Sequence, residues 1–198
     1  MTIHLDFDFG LGIKVPAFIT LLILLVIMLS FNNFNSKGNY LLLRDLMVNY
    51  WVFVIGGTRP GRDIFENPKK FKKLLEKNPY WGLSTRTPYL EKLTKDDKGV
   101  FYLAGPNGQK FLASFELDSE TCKLTERKKS KLNKYLVCFC RFCVNIKEIK
   151  FFKKQVSILP LITTLYLTRG KSSYGATLQG GIRRIIERDY KKILERSK

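Results

Sequence analysis

The chain has 198 residues, 45% of them hydrophobic, and its 35 Lys and Arg against 17 Asp and Glu give a formal charge of +18. That length allows one domain, or one with a small appendage, and a charge of that size repels itself until a polyanion, whether nucleic acid, anionic lipid or an acidic protein, neutralises it. The single histidine, His4, excludes Ser–His, Cys–His and histidine-rich metal chemistry, and four cysteines at unconvincing spacing give no disulfide framework.

Charge and apolarity are segregated. Residues 1–60 carry a net charge of +1 and the remainder +17. The first 14 residues form a short tail with Asp6 and Asp8. From Val15 the chain reads VPAFITLLILLVIMLSF, and Lys14 and Lys37 bracket 22 uncharged residues. This matches the roughly 20 residues a helix needs to cross about 30 Å of hydrocarbon. The expectation is a transmembrane helix over residues 15–36, anchored by Phe18, Leu22, Leu25, Ile27 and Leu29. A cleaved targeting peptide would want a basic start and a small-residue cleavage site, and a buried globular helix is seldom so uniformly apolar. Lys37, Arg44, Arg59 and Arg62 follow the span, so the positive-inside rule puts the N-terminus outside and the body on the cytoplasmic or matrix side. The mitochondrial inner membrane is one such setting.

Residues 37–62 hold a second apolar stretch, Leu46–Gly57, too short to cross upright. Tyr50 and Trp51 favour a lipid–water boundary; a re-entrant segment or a buried strand rich in Val, Ile and aromatics fits the same residues. Residues 63–168 read as a basic α+β body. Asn67 and Pro68 are a helix start, and Phe71, Leu74 and Leu75 share one face, with Lys69, Lys70, Lys72 and Lys73 off it. Asp96–Asp97 reads as a solvated turn. Val100–Leu117 reads as a hairpin about Gly105–Gly108, with a third strand over residues 121–124. Glu126–Lys134 contains Arg127, Lys128 and Lys129. Residues 156–167 form an apolar stretch interrupted by Pro160, the place for any second membrane contact. Residues 169–198 read as a loop and an amphipathic helix with Ile182, Ile185, Ile186, Tyr190, Ile193 and Leu194 on one stripe. Arg183, Arg184 and Arg188 lie off that stripe.

The fold class expected is therefore α+β: a single N-terminal transmembrane helix, then a small basic domain with a β-hairpin and a C-terminal amphipathic helix. Cys122, Cys138, Cys140 and Cys143 could in principle hold zinc, but a second separated C-x2-4-C pair is missing and their neighbours are apolar. No phosphate loop or acid–base constellation is present, so the chain is read as non-catalytic with no cofactor. Its richness in Phe, Tyr, Lys, Asn and Ile suggests an AT-rich, organellar genome. The leading reading is an accessory, scaffolding subunit of a multi-protein membrane complex, such as an energy-transducing one. Its basic patches would meet other subunits or anionic lipid through Lys69, Lys70, Lys72, Lys73, Arg127, Lys128, Lys129, Arg183, Arg184 and Arg188. The alternative is an RNA-binding or ribosome-associated protein whose same side chains meet phosphates, although no RRM, KH or dsRBD signature is present.

Overall fold

A computed structural model of the chain describes residues 6–8, 14–16, 48–56, 63–105, 108–131, 140–179 and 181–198. The chain divides into two units, Met1–Met47 and Val48–Lys198. In the first, β1 (Asp6–Asp8) pairs antiparallel with β2 (Lys14–Pro16), Phe7 opposite Val15. This corrects the expected helix start, because Val15 and Pro16 are extended. The rest of the expected span, with Phe18, Leu22, Leu25, Ile27 and Leu29, lies outside the described residues. Among the described residues no helix is long and apolar enough to cross a membrane, and the expected single-pass placement, with its orientation, is corrected accordingly.

The second unit is built on a curled sheet. Its strands are β3 (Tyr50–Ile55), β4 (Tyr80–Ser84), β5 (Lys98–Leu103), β6 (Lys110–Leu117), β7 (Cys122–Lys123), β8 (Cys140–Ser157) and β9 (Gly181–Ile185). They run in the order β4-β8-β6-β5-β3-β9, with β7 added on β8. β3 and β5 are parallel; every other pair is antiparallel. The 18-residue β8 makes the curl. It pairs with β4 and β7 near its start and with β6 over its remainder, and its register against β6 shifts twice. Such bulges bend a strand and raise its twist.

Both faces of the sheet are covered. One cluster holds Trp51, Phe53, Ile55, Phe101, Leu103 and Phe115 with Phe71 and Leu75 of the helix over Pro68–Lys77. The other holds Val52, Val54, Val100, Tyr102 and Phe111 with Ile158, Leu161, Leu165 and Ile193. Successive side chains of a strand point to opposite faces, so a strand covered on both sides is apolar at every position. That is why Tyr50–Ile55 looks like lipid-seeking sequence. Trp51 through Ile55 are all buried, and the interfacial reading of this stretch is corrected to its buried-strand alternative. Tyr50 is half-buried against Tyr190, ring centroids 5.0 Å apart.

The helices are short: α1 (Asp63–Glu66), α2 (Pro68–Lys77), α3 (Glu126–Lys131), α4 (Tyr174–Thr177) and α5 (Glu187–Glu195). α2 starts as its residues dictate. Asn67 Oδ1 accepts from the backbone N–H of Lys69 at 3.0 Å and Lys70 at 3.2 Å, and Pro68 opens the first turn. Phe71 and Leu75 are buried, each stabilising the fold by about 1.5–3 kcal/mol.

Two further expectations are corrected. Residues 156–167 pack on the sheet: the end of β8, a 3-10 turn at Leu159–Leu161 and the following turns bury Val156, Ile158, Leu161 and Leu165 against the second face, with Leu159 and Tyr166 left exposed. The C-terminal helix does not begin at Ile182. Gly181–Ile185 is the edge strand β9, with Arg184 opposite Trp51, and α5 starts only at Glu187. Ile182 and Ile185, spaced as on a helix, enter opposite clusters of the sheet. The fold class is thus a curled, two-faced sheet with short helices. Strands from the expected segments 37–62, 63–168 and 169–198 share it.

Candidate nucleic-acid interface

Three basic and three acidic residues cancel over Met1–Met47, so Val48–Lys198 carries the whole net charge of +18. Buried ion pairs are costly, and this excess is displayed at the surface. Lys69, Lys70, Lys72, Lys73 and Lys77 of α2 are exposed, as are Lys150, Lys153 and Lys154 of β8. The two elements meet where the rings of Phe71 and Phe151 stand edge to face, 5.5 Å between centroids. Lys72 is partly engaged by Glu76 at 3.8 Å, and Lys150 by Glu148 at 3.6 Å; both pairs are solvent-exposed and contribute little.

The structure sorts the remaining expected contacts. Arg127, Arg184 and Arg188 are exposed. Lys128 is instead a packing residue: its ammonium donates to Asn145 Oδ1 at 2.9 Å and lies 5.2 Å from the Tyr80 ring centroid. Lys129 lies in α3, with only its backbone described. Arg183 is consumed locally, donating to the carbonyls of Thr177, Gln179 and Ile182 and so closing the turn into β9.

The most developed arrangement surrounds Asp97, which is 1% exposed rather than the solvated turn residue expected. Its Oδ1 accepts from the backbone and side-chain N–H groups of Asn49, at 2.8 and 3.2 Å. Its Oδ2 accepts from Trp51 Nε1 at 2.8 Å and the Thr94 backbone at 3.1 Å. Asn49 Oδ1 in turn accepts from the Arg184 guanidinium at 2.7 Å. Above Trp51 lies Tyr89, ring centroids 5.7 Å apart, with Lys92 Nζ 5.6 Å from the Tyr89 centroid. Tyr89 is 41% exposed and held at φ 64°, a left-handed conformation uncommon for a bulky residue. A strained backbone of that kind persists only where its surroundings over-determine it; here the Ser84–Thr87 turn leads in and a 3-10 turn, Leu90–Lys92, leads out.

Next to this corner is a pocket of about 420 Å³ lined by Leu90, Glu91, Leu93, Thr94, Glu120, Thr121, Lys123 and Phe142. The corner presents the exposed Tyr89 ring with the Lys92 ammonium over it, beside a partly apolar recess, and Arg184 is tied to the same Asp97 network through Asn49. It is equipped to stack a flat ring and to hold an anion.

Sequence reasoning named Arg184 and Trp51 but missed Tyr89, Lys92, Asn49 and Asp97. No local pattern marks Asp97 as buried, because its partner Trp51 is 46 positions away. Of the cysteines, Cys138 lies outside the described residues. Cys122 and Cys143 face each other across β7 and β8, Sγ atoms 3.1 Å apart, and Cys140 starts β8 at a position opposite Ser84. Among the described residues no group of three His, Cys, Asp or Glu side chains is placed to hold a metal ion.

No family model and no curated protein matches the sequence. Solved structures do. A protein from Pseudomonas syringae is similar at 12% identity and TM-score 0.50, covering 75% of this chain and 99% of that one; at that identity the likeness concerns the fold alone. Human THYN1, solved in complex with 5-methylcytosine-containing DNA, matches at 8% identity and TM-score 0.46 over 76% of this chain and 98% of that one. The YTH domain of Zygosaccharomyces rouxii MRB1, solved with N6-methyladenosine RNA, matches at 15% and 0.44 over 75% and 87%.

The expected role as accessory subunit of a membrane complex is corrected on these grounds. Of the segments offered to lipid besides 15–36, the first contains the interior strand Tyr50–Ile55 and the second, 156–167, is largely a covering loop. No described helix can span a bilayer. The fold is one shared with separately solved proteins. Other membrane subunits and anionic lipid are not retained as partners.

Proposed function

We propose that this chain is a non-catalytic nucleic-acid-binding module that takes single-stranded RNA. The observation that carries this is the exposed Tyr89 ring, packed on Trp51 with the Lys92 ammonium over it, while Arg184 stands opposite Trp51 on β9, on a unit with eighteen more positive than negative charges. Unstacked RNA bases are recognised by stacking on aromatic side chains, with cations on the phosphates. In this reading Tyr89 stacks a base, Lys92 and Arg184 hold the adjoining phosphates, and the lysines of α2 extend the charged track. The buried Asp97 network keeps the ring and the guanidinium in place before RNA arrives, which lowers the entropic cost of binding. The absence of a catalytic role rests on the lack of histidine beyond His4 and on the donor set at this corner, which positions but has no paired acid and base.

The test is fluorescence anisotropy with a short labelled single-stranded RNA. Tyr89→Ala is expected to weaken binding by about 1–3 kcal/mol, the amount a base–aromatic stack contributes, while Tyr89→Phe keeps most of the affinity. Equal binding by the parent and Tyr89→Ala would overturn the site. No salt-dependent binding of any single strand would overturn the function.

A further inference from the structure

We infer that Cys122 and Cys143 form a reversible disulfide that locks one wall of the pocket beside Tyr89. The two residues are register partners of the antiparallel β7–β8 pair, and their Sγ atoms lie 3.1 Å apart. Directly opposed residues in such a pair have Cα atoms about 4.5–5.5 Å apart, inside the range a disulfide spans, and a bond of about 2.05 Å needs the sulfurs to close by about 1 Å. Both are free thiols in this structure, Cys122 half-buried and Cys143 buried. The half-buried Cys122 is therefore where an oxidant enters, and Cys143 resolves.

With hydrogen peroxide as oxidant the chemistry balances. The Cys122 thiolate attacks one peroxide oxygen, the O–O bond breaks and hydroxide leaves, giving a sulfenic acid. The Cys143 thiolate then attacks the Cys122 sulfur, the S–S bond forms and the S–O bond breaks. The thiol protons leave in two waters; the sulfurs are oxidised and the peroxide is reduced. The Lys128 ammonium, 3.7 Å from Cys143 Sγ, supports a thiolate there, against burial and the neighbouring Cys122, which together push the Cys143 thiol up to about 11.

The location gives the bond a consequence. β7 is two residues long and, among the described residues, pairs with β8 alone. Its neighbours Thr121 and Lys123 line the pocket, and so does Phe142, next to Cys143 and the register partner of Lys123. A covalent tie between Cys122 and Cys143 fixes β7 on β8 and so fixes that wall.

The experiment treats the full chain with hydrogen peroxide, unfolds it in guanidinium chloride, caps remaining thiols with N-ethylmaleimide, and reads intact mass and a non-reducing peptide map. Of the four cysteines, all four are expected to be capped in the reduced chain and two after oxidation. The map should contain one cross-linked peptide pair joining Cys122 to Cys143, and dithiothreitol should restore four caps. A cross-link through Cys138 or Cys140, or oxidation of Cys122 to sulfinate with no cross-link, would overturn the inference. Cys140→Ser should still lose two caps and Cys122→Ser none, but the map on the unaltered chain decides the matter alone, whether or not the variants fold.

Discussion

Replacing Asp97 with alanine removes the acceptor shared by the Asn49 backbone and side chain, Trp51 Nε1 and the Thr94 backbone. A hydrogen bond to a charged acceptor contributes about 1.5–3 kcal/mol, and a buried donor left without a partner costs about 1–3 kcal/mol. Trp51 is 1% exposed, so its indole N–H meets the full cost. The other donors lie in part-buried positions and recover bonds to water. The expected loss is therefore about 3–5 kcal/mol, or a fall in Tm of roughly 10 °C for a chain of this size. Urea unfolding followed by the fluorescence of the two tryptophans, both buried, measures it. Asp97→Asn should fall between parent and Asp97→Ala, because one acceptor oxygen remains. Trp51→Phe removes the stranded donor, so Asp97→Ala in that background should cost about 1–2 kcal/mol less than in the parent. An Asp97→Ala chain within about 0.5 kcal/mol of the parent, or strict additivity with Trp51→Phe, would refute this role for the network.

Gly99→Ala should destabilise by about 1–3 kcal/mol or more, as overpacking does, because a Cβ there would run into the Phe115 ring; urea unfolding reads it, and a neutral result would show that the ring can move aside. Tyr190 is pushed up to about 12, by burial first and then by the charge of Glu116, against an opposing hydrogen bond from Ser114. The folded state therefore keeps its proton longer than the unfolded one: the stabilisation is complete below the ordinary tyrosine value near 10 and is lost as pH rises from there through about 12. It amounts to about 2–3 kcal/mol at the far end, and Tyr190→Phe should flatten that part of the alkaline unfolding curve. Replacing Lys69 and Lys73, exposed on α2, with glutamine should leave stability within about 0.5 kcal/mol and reduce the salt dependence of RNA binding by about 0.7 in log–log slope for each phosphate no longer neutralised. An unchanged slope would remove α2 from the interface.

The sequence by itself determined those features whose causes lie within a few residues. Asn67 and Pro68 start α2 because capping needs only the next turn, and Phe71 and Leu75 name its buried face. The turn chemistry at Gly105–Gly108 joins β5 to β6, and the charge asymmetry between front and body is a matter of counting. Tertiary structure alone decided what the apolar segments face. A strand buried on both sides, such as Tyr50–Ile55, has the same uniformly apolar composition as a lipid contact, and only the arrival of β5 on one edge and β9 on the other tells them apart. Ile182 and Ile185 carry helical spacing yet sit in a strand, since two cores lie either side of the sheet. It also took the fold to separate Arg183 and Lys128, part-buried on internal partners, from Arg184, exposed while it donates to Asn49, and from Lys92, which lies against the exposed Tyr89 ring. Burial and pairing are set by residues tens of positions apart, and hydrophobicity, being non-directional, records that a side chain leaves water without recording where it goes.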